Sequence, residues 1–195
     1  MSDFTDLDRR PLLIAIAGPN GAGKTTFFES HLAQLGLRFV NADALADEMA
    51  LDPYEAARVA ESIRSALLAR RESFAFETVL SDPVGDKIAF LEEAARQGYT
   101  VVLFYIGVAD AKQSEERVAI RVAQGGHDVP TGKIRARFPR TLANLRAGVS
   151  RLPHVLVYDN SDLRRPFRHV ATFDHGRQAY LSRRIPAWLK RCTPD

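Results

Sequence analysis

The sequence predicts an α/β fold in which a five-stranded parallel sheet is covered by helices on both faces and closed by a helical lid. Short apolar runs alternate along the chain with longer segments of helical period, and a glycine-rich loop follows the first apolar run. Such alternation is typical of a parallel sheet, because a crossover helix must bring the chain back before each new strand. With 195 residues and 46% hydrophobic composition, residues 1–195 are expected to form a single domain.

Five apolar runs are expected to be the strands of this sheet. The run at 99–106 is apolar throughout, which is typical of a central strand buried on both faces. We expect the strand order 2-3-1-4-5, with ligands at the carboxyl edge of the strands. A further strand is indicated near His169–Phe173. The five core strands are predicted at 12–17, 37–41, 74–78, 99–106 and 154–158.

Capping residues predict where the helices begin and end. Asp52 followed by Pro53 indicates a helix start, because aspartate caps free amides and proline suits the first helical position. That helix should bury a stripe of four side chains: Ala56, Ala60, Ile63 and Leu67. The other helices are predicted from the glycine-rich loop to Leu35 and Gly36, from Ser81-Asp82-Pro83 to Gly98, from Asp110 to Gly125-Gly126, from about Pro130, and towards Trp188.

The glycine-rich loop carries the strongest functional signal. Residues 18–25, GPNGAGKT, match the pattern G-x-x-x-x-G-K-[ST], in which backbone amides and a helix N-terminus cradle phosphate groups. The lysine brings a charge to the β- and γ-phosphates, and the Thr25 hydroxyl is a ligand for Mg²⁺. A glycine-rich surface turn is the alternative. The residues expected to bind ATP or GTP are Gly18, Pro19, Asn20, Gly21, Ala22, Gly23, Lys24, Thr25, Thr26 and Asn160.

Positive charge is concentrated in the second half of the chain, although the net charge is only +3. Residues 1–109 carry 10 Lys and Arg against 16 Asp and Glu, whereas residues 110–195 carry 17 against 8. Arginine suits bidentate recognition of phosphate. A basic half is also typical of nucleic-acid binding, but no aromatic-basic RNA motif or DNA-binding signature accompanies it. Nucleotide phosphates are therefore the favoured partner, and nucleic acid is not expected.

Two acids fall at the predicted carboxyl edge of the sheet. Asp43 follows the second strand, where a carboxylate can accept a proton from a substrate hydroxyl or hold a water on Mg²⁺. A helix N-cap is the alternative for Asp43. Glu77 ends the third strand beside Thr78, and an acid on an apolar strand needs a task or a partner. We expect both residues to bind substrate hydroxyls, with a structural ion pair as the alternative for Glu77.

Four arginines lie on the two helical segments that Gly125-Gly126 joins. Their placement predicts a lid over about residues 110–150 that closes on the γ-phosphate and stabilises charge during transfer. A solvated basic face is the alternative. The four are Arg117 and Arg121 on the first segment, and Arg137 and Arg140 on the second.

Two further polar sites give weaker signals. His127 is expected to be a surface loop residue, because no second histidine lies at metal-ligand spacing. Residues 158–161 follow the fifth strand, where Asn160 would help to cup an adenine base, and a plain turn is the alternative.

The chain resembles the zeta-toxin family of P-loop kinases over about residues 12–161. The resemblance rests on four segments: the loop, NADAL around Asp43, FETVLS from Phe76, and RVAIRVAQGGHDVPTGKIRARFPRTLANL. The resemblance implies a three-layer P-loop kinase fold and transfer of a phosphoryl group from ATP or GTP, with Mg²⁺, to an alcohol. The best-known acceptors of the family are UDP-N-acetylamino sugars, which are phosphorylated on the sugar 3′-hydroxyl. An antitoxin protein is the implied partner.

The resemblance also assigns roles to individual residues. Lys24 and Thr25 would bind phosphate and Mg²⁺, Asp43 would be the catalytic base, and Glu77 and Thr78 would hold the sugar. Arg121 is the first lid arginine, whereas the second is Arg135, Arg137 or Arg140. We assign Arg137 to catalysis and Arg140 to substrate binding. The chain is shorter than the toxins, so another acceptor, such as a nucleoside, a simple sugar or a nucleic acid, stays open.

Three other functions are less consistent with the sequence than a small-molecule kinase. A GTPase switch would need an N-K-x-D motif, which the sequence does not contain. An ATPase motor would need an apolar strand that ends in an acid beside the loop, and only the strand ending at Asp159, late in the chain, meets this description. An inactive partner in a toxin–antitoxin pair is disfavoured by the intact loop and Asp43. The polar start, the lack of a long apolar run and the single Cys192 predict a cytoplasmic location without membrane association.

Overall fold

A seven-stranded sheet forms the centre of the computed structural model, which describes residues 9–191. The strands are β1 (Leu12–Ala17), β2 (Arg38–Val40), β3 (Phe74–Thr78), β4 (Thr100–Gly107), β5 (His154–Asp159), β6 (Arg168–Asp174) and β7 (Arg177–Leu181). Their order is β2-β3-β1-β4-β5-β6-β7. The first five are parallel and confirm the predicted order 2-3-1-4-5.

The predicted number of five strands is wrong, because β6 and β7 extend the sheet in antiparallel pairing. The sequence indicated β6 at nearly its observed position. It did not indicate β7, whose five residues RQAYL are almost all exposed and carry no apolar run. Pairing with β6, rather than burial of side chains, holds this strand in the sheet.

Six α-helices connect and cover the strands of the described chain. They are α1 (Lys24–Phe27), α2 (Ala42–Met49), α3 (Pro53–Ala69), α4 (Asp86–Arg96), α5 (Ala111–Ala123) and α6 (Thr131–Arg151). A π-helical turn (Phe28–Leu32) and a 3₁₀ turn (Ala33–Leu35) continue α1 up to Gly36, as the sequence predicted. No helix among residues 9–191 is both long and apolar enough to cross a membrane.

Both faces of the sheet are buried. Leu13, Ala15 and Ala17 of β1 belong to the core under α3, α4 and α6, whereas alternate residues such as Ile14 face a second core with Phe27 of α1. Side chains alternate between the two faces of a strand, so a strand covered on both sides is apolar throughout. Helix layers on both faces leave the carboxyl ends of β1 to β3 as the open edge.

The capping predictions were confirmed at two helices and wrong at a third. The Asp52 carboxylate accepts hydrogen bonds from the amides of α3, and Asp110 does the same for α5. Ser81-Asp82-Pro83 does not start a helix, because α4 begins at Asp86 after Gly85. Instead, Asp82 Oδ2 accepts a 3.4 Å hydrogen bond from the amide of Lys87.

The chain after β7 does not form the predicted helix towards Trp188. Only a 3₁₀ turn, Leu189–Arg191, is present there, and Trp188 is buried in the core against Tyr105. Trp188 Nε1 donates a 3.0 Å hydrogen bond to Asp159. The packing role predicted for this region is confirmed, and Cys192 lies outside the described residues.

The buried stripe of α3 differs from the prediction by one residue. Ala56, Ala60 and Leu67 are buried as expected, but Arg64 is the fourth buried residue and Ile63 is half-buried. The arginine therefore occupies a core-facing position of the helix.

Helix α6 spans 21 residues and contains a proline at position 139. Proline has no amide hydrogen, so the carbonyl of Arg135 receives no helical hydrogen bond from it. Beyond Pro139 the helix packs in the core through Thr141, Leu145 and Val149, whereas most of its first turns are exposed.

Candidate functional site

The glycine-rich loop connects β1 to α1 in a conformation that only glycine permits. Gly18 has φ 147°, and a Cβ built there would lie 2.1 Å from the carbonyl oxygen of Ile106. Gly23 has φ 87° and is the N-cap of α1. No side chain caps this helix, so a ligand can accept hydrogen bonds from the amides at its N-terminus. This is the backbone cradle that a phosphate group fits.

Lys24 lies at the floor of the loop and is only 6% exposed. Its Nζ donates a 3.1 Å hydrogen bond to the carbonyl of Pro19 and lies 3.5 Å from Glu77 Oε1. A buried ammonium group needs such partners, because burial without them strongly disfavours its charge. The lysine is therefore held close to the loop amides.

Glu77 connects three residues at the carboxyl ends of β1, β2 and β3. Its Oε2 accepts hydrogen bonds from Thr25 Oγ1 at 2.7 Å and from Asn41 Nδ2 at 3.2 Å, in addition to the ion pair with Lys24. It is therefore the acid of an apolar strand beside the loop. The expectation that only the strand ending at Asp159 meets this description was wrong, and Asp159 bonds Trp188 and Arg168 instead.

The donor set around Thr25 fits a magnesium ion. The hydroxyl of Thr25 and the carboxylate of Glu77 are hard oxygen ligands that already lie side by side. Mg²⁺ is typically held by one or two carboxylates together with substrate phosphates. Among residues 9–191 there is no cluster of three or more His, Cys, Asp or Glu able to hold a metal ion.

Asn160 ties the phosphate-binding loop to the strands beside it. Its Nδ2 donates a 2.9 Å hydrogen bond to the carbonyl of Ala22, and its Oδ1 accepts one from the amide of Phe167 at 3.3 Å. Its own amide donates to the carbonyl of Gly107 at 2.8 Å. The buried side chain supports the loop from behind, so its contacts are with the backbone of the loop.

The start of α5 packs directly on the same loop. The hydroxyl of Ser114 donates a hydrogen bond to the carbonyl of Asn20. Arg117 donates to the carbonyl of Asn160 at 2.7 Å, and burial lowers the pKa of its guanidinium against the opposing charge of Asp159. The first half of the predicted lid is therefore anchored to the loop, while residues 119–133 are mostly exposed.

Asp43 lies in the first turn of α2 and does not cap it. Asn41 is the cap, since its Oδ1 accepts hydrogen bonds from the amides of Asp43 and Ala44. The Asp43 carboxylate is 59% exposed and lies 4.0 Å from Arg121 Nη1. The N-cap alternative for Asp43 is thus wrong, and its carboxylate is exposed beside Arg121.

Arg121 reaches Asp43 from the end of α5. Its Nη2 donates a 2.7 Å hydrogen bond to the carbonyl of His127, while its buried Nε has no hydrogen-bond partner among the described residues. Gly126 makes this path possible, because a Cβ there would lie 2.6 Å from Cγ of Arg121. The Gly125-Gly126 turn thus shapes the position of the arginine.

The three candidates for the second lid arginine occupy different environments. Arg137 lines the same cavity as Lys24. Arg135 forms an ion pair with Glu115 of α5, which raises the pKa of its guanidinium and lowers that of the Glu115 carboxyl. Arg140 is exposed and does not line the cavity, so the structure does not bring it to the predicted substrate position.

A cavity of about 410 Å³ brings the predicted residues together at the carboxyl edge of the sheet. Thr78 lines it, although its hydroxyl already accepts a hydrogen bond from the amide of Leu80. His127 also lines it, whereas Thr26 is exposed and does not. The predicted residues on its wall are Asn20, Gly21, Lys24, Asp43, Glu77, Thr78, Arg121 and Arg137.

Besides Ser81, which was predicted only as part of a helix start, sequence reasoning missed five polar residues of the same wall. For Arg64 a signal existed, because it falls in the apolar stripe of α3. The others are on loops or exposed helix faces, where no periodic pattern marks them. The missed residues are Asn41, Glu61, Arg64, Asp82 and Lys87.

A second cavity, of about 560 Å³, lies at the opposite edge of the sheet. Its lining includes Arg151, which is ion-paired with Glu92 and lowers the pKa of that carboxyl. None of the predicted site residues lines it. The predicted site residues that line a cavity therefore lie at the carboxyl edge of the sheet.

The fold is similar to several solved structures. The AvrRxo1-ORF1:AvrRxo1-ORF2 complex with ATP aligns at TM-score 0.63 and 18% identity, over 95% of this chain and 64% of that chain. A chain of the PezAT toxin–antitoxin system of Streptococcus pneumoniae aligns at TM-score 0.59 and 19% identity, over 83% and 72%. A kinase candidate from Chloroflexus aurantiacus aligns at TM-score 0.56 and 21% identity, over 81% and 90%.

These structures share the P-loop kinase-like fold, and this chain spans 64% of the length of the AvrRxo1-ORF1 complex chain that it matches. A comparison with curated proteins finds no match. Residues 13–143, which include the loop, Asp43, Glu77 and most of the lid segment, match the model of a family described as an AAA domain. Since this match extends over more than half of the sequence, the chain belongs to that AAA domain family and has its P-loop kinase-like fold.

Proposed function

We propose that the protein is a kinase that transfers the γ-phosphoryl group of ATP or GTP to a hydroxyl of a small molecule. The observation that carries the proposal is the convergence of Lys24, Asp43 and Arg121 on one cavity at the carboxyl edge of the sheet. A phosphate-binding lysine, an exposed carboxylate and a cationic lid are the parts that phosphoryl transfer requires. The P-loop kinase-like fold of the solved structures supports it.

The loop and its neighbours would bind the nucleotide. The amides of residues 18–25 and Lys24 would hold the phosphates, while Asn160 keeps the loop in place. Thr25 and Glu77 would hold Mg²⁺, which would neutralise phosphate charge when bound. Glu77 is thus proposed for the metal and phosphate end of the site, in addition to the substrate contact that its sequence position suggested.

The acceptor hydroxyl would lie beside Asp43. As its oxygen bonds to the γ-phosphorus, the bond from that phosphorus to the β–γ bridging oxygen breaks, and Asp43 takes the hydroxyl proton. Arg121 and Arg137 would stabilise the charge on the transferring group. Residues 119–133, between the anchored parts of α5 and α6, would be the moving part of the lid within a single domain.

The finer identity of the enzyme rests on the zeta-toxin resemblance. A UDP-N-acetylamino sugar is the first acceptor to test, and an antitoxin protein is the first partner. The PezAT system is a toxin–antitoxin pair by name, and AvrRxo1-ORF1 was crystallised with a second chain and ATP. Both facts belong to those proteins, and they support this part of the proposal only through the shared fold.

The decisive experiment measures ADP formation with ATP and Mg²⁺ against UDP-sugars, simple sugars, nucleosides and nucleic acids. We expect consumption driven by one hydroxyl compound, with a phosphorylated product in equal amount by mass spectrometry. The Lys24→Ala protein serves as the blank. Equal ATP consumption without any acceptor, or stimulation by nucleic acid, would contradict the proposal and favour an ATPase.

A further inference from the structure

Arg64 is buried at the wall of the cavity without a polar partner. It is 7% exposed, and its guanidinium lies 5.1 Å from the ring centre of Phe76. Among the residues that the structure describes, none accepts a hydrogen bond from it or forms an ion pair with it within 4.0 Å. Its side chain instead lines the cavity, where its nitrogen atoms are accessible to a ligand. Burial lowers the pKa of this guanidinium, against the opposing charge of Glu61 one turn earlier. An arginine placed so is costly unless an anion completes its hydrogen bonds.

Lys87 of α4 contributes a second free cation to the same wall. It is half-buried, and its ammonium has no hydrogen-bond or ion-pair partner within residues 9–191. Neither Arg64 nor Lys87 belongs to the loop or to the lid. Arg64 belongs to α3 and Lys87 to α4, and both line the wall where a phosphoryl acceptor would lie.

The acids of this wall do not satisfy these cations. Glu61 is exposed on the helix face next to Arg64. Asp82 accepts the amide of Lys87 through Oδ2, and its buried Oδ1 has no partner among the described residues. A free carboxylate oxygen suits a hydroxyl donor. The wall therefore offers hydroxyl acceptors and unpaired cations together.

We propose that Arg64 and Lys87 bind an anionic group of the phosphoryl acceptor, a carboxylate or a phosphate, while Asp82 accepts a hydrogen bond from one of its hydroxyls. The acceptor is then a hydroxylated anion rather than a neutral sugar or nucleoside. This inference rests on the proposed kinase function, and it assigns the anion to a place separate from Lys24 and the loop. Arginine on an aromatic face is well suited to such an anion, because its planar fork donates two parallel hydrogen bonds.

The test compares acceptors that differ mainly by an anionic group, measured with ATP and Mg²⁺. Suitable probes are gluconate and glucose 6-phosphate against glucose, and UDP-N-acetylglucosamine against N-acetylglucosamine. We expect turnover with an anionic member of a pair, and a carboxylate is distinguished from a phosphate by the probe preferred. Turnover confined to the neutral members would overturn the inference and leave the kinase function standing.

Variants connect that preference to the residues. Arg64→Met keeps an unbranched apolar stem, removes the guanidinium, and should raise KM for the anionic acceptor about 10- to 100-fold, with KM for ATP unchanged. Arg58→Met, an exposed arginine of the same helix, is the matched control. Circular dichroism checks the fold, and Lys87→Gln, at a half-buried position, provides a second variant. The inference would be overturned if KM for the anionic acceptor were the same in Arg64→Met, in Lys87→Gln and in the wild type.

A binding measurement separates this inference from the proposed function if no acceptor is phosphorylated. The protein is saturated with a non-hydrolysable ATP analogue, so that the loop is filled, and inorganic phosphate is then titrated by calorimetry. Binding that Arg64→Met weakens at least tenfold supports the anion site even if the kinase proposal fails. Absent binding in the wild type, or unchanged binding in the variant, overturns it.

Discussion

The two ends of the cavity differ in how fully their polar groups are partnered. At the loop end, Lys24 has two polar partners, Glu77 contacts three residues, and the Asn160 side chain bonds two backbone groups. The exception there is the buried Oδ1 of Asn20, which has no hydrogen-bond partner among the described residues. At the acceptor and lid end, Asp43 has one distant ion pair, and Arg64 and Lys87 have none among the described residues.

This difference separates what the protein organises by itself from what a ligand must complete. Buried polar groups with satisfied hydrogen bonds hold a fixed geometry, whereas unpartnered ones gain their hydrogen bonds only on binding. We therefore expect changes at the loop end to affect nucleotide binding and stability. Changes at the other end should affect turnover and acceptor binding.

Removing the lysine of the loop should have the largest effect. Lys24→Ala takes away the lysine that lies against the phosphate-binding loop, so we expect nucleotide-dependent activity to be abolished with the fold intact. ADP release and far-UV circular dichroism are the measurements, and Lys112→Ala, an exposed lysine of α5, is the control. Near-normal turnover in a folded Lys24→Ala protein would remove the loop from the mechanism.

Loss of the lid arginine should come next. Arg121→Ala should lower kcat about 10³-fold, the low end of arginine-finger effects, with little change in ATP affinity. The exposed Arg146→Ala is the control. In a parallel series, Arg137→Ala should lower kcat about as much as Arg121→Ala does. Arg135→Ala should lower kcat less, because Arg135 is hydrogen-bonded to Glu115.

The same series distinguishes a lid from a nucleic-acid surface. If the arginines bind a nucleic-acid backbone, filter binding should weaken steeply with salt, and each lost arginine should lower the slope by about one. Strong salt-dependent binding together with unimpaired turnover of Arg121→Ala would contradict the lid.

Neutralising the carboxylate beside the lid should have a smaller effect on turnover. Asp43→Asn should leave ATP binding largely intact and lower phosphoryl transfer about 10²-fold, as expected for a positioned base. Asp47→Asn, one turn later on α2, is the matched control. Steady-state kinetics and nucleotide titration separate the outcomes: unchanged transfer excludes the base role, and lost ATP binding indicates a role at the metal.

Cutting the support behind the loop should have the smallest effect on chemistry and a measurable one on stability. Asn160→Ala leaves the carbonyl of Ala22 and the amide of Phe167 without their partner, which should cost about 1–3 kcal/mol in the free energy of unfolding. KM for ATP should rise while kcat falls little. Urea unfolding of Leu163→Ala, whose side chain is 70% exposed, is the control. A stability equal to wild type would mean that the loop does not need this support.

The sequence could predict those parts of the fold and site that depend on neighbouring residues in the chain. The loop is one contiguous motif, and β1 to β5 are apolar runs whose pairing order was confirmed. The caps at Asp52 and Asp110 are local hydrogen bonds, so their residue types sufficed. The strand β7 could not be predicted, because it is held by backbone pairing to β6 and buries few side chains.

Contacts between distant segments were beyond such reasoning. Thr25 and Glu77 lie 52 positions apart in the sequence, and only the adjacency of β1 and β3 brings them together. The apolar pattern of α3 favours Ile63 for the fourth buried position, whereas Arg64, the next residue, is the one that is buried. The arginine within a buried stripe was itself the evidence, since a charge on a core-facing position requires an explanation.

Pro139 divides α6 into two sections that differ in how they are held. The section after the proline packs in the core through Leu145 and Val149, whereas the section before it contains Arg137, which lines the cavity. Because one backbone hydrogen bond is missing at the joint, bending there costs less than elsewhere along the helix. A bend at this joint would tilt the section from Thr131 to Phe138 without disturbing the packed section, and Arg137, only two residues before the joint, would move less than the start of the helix.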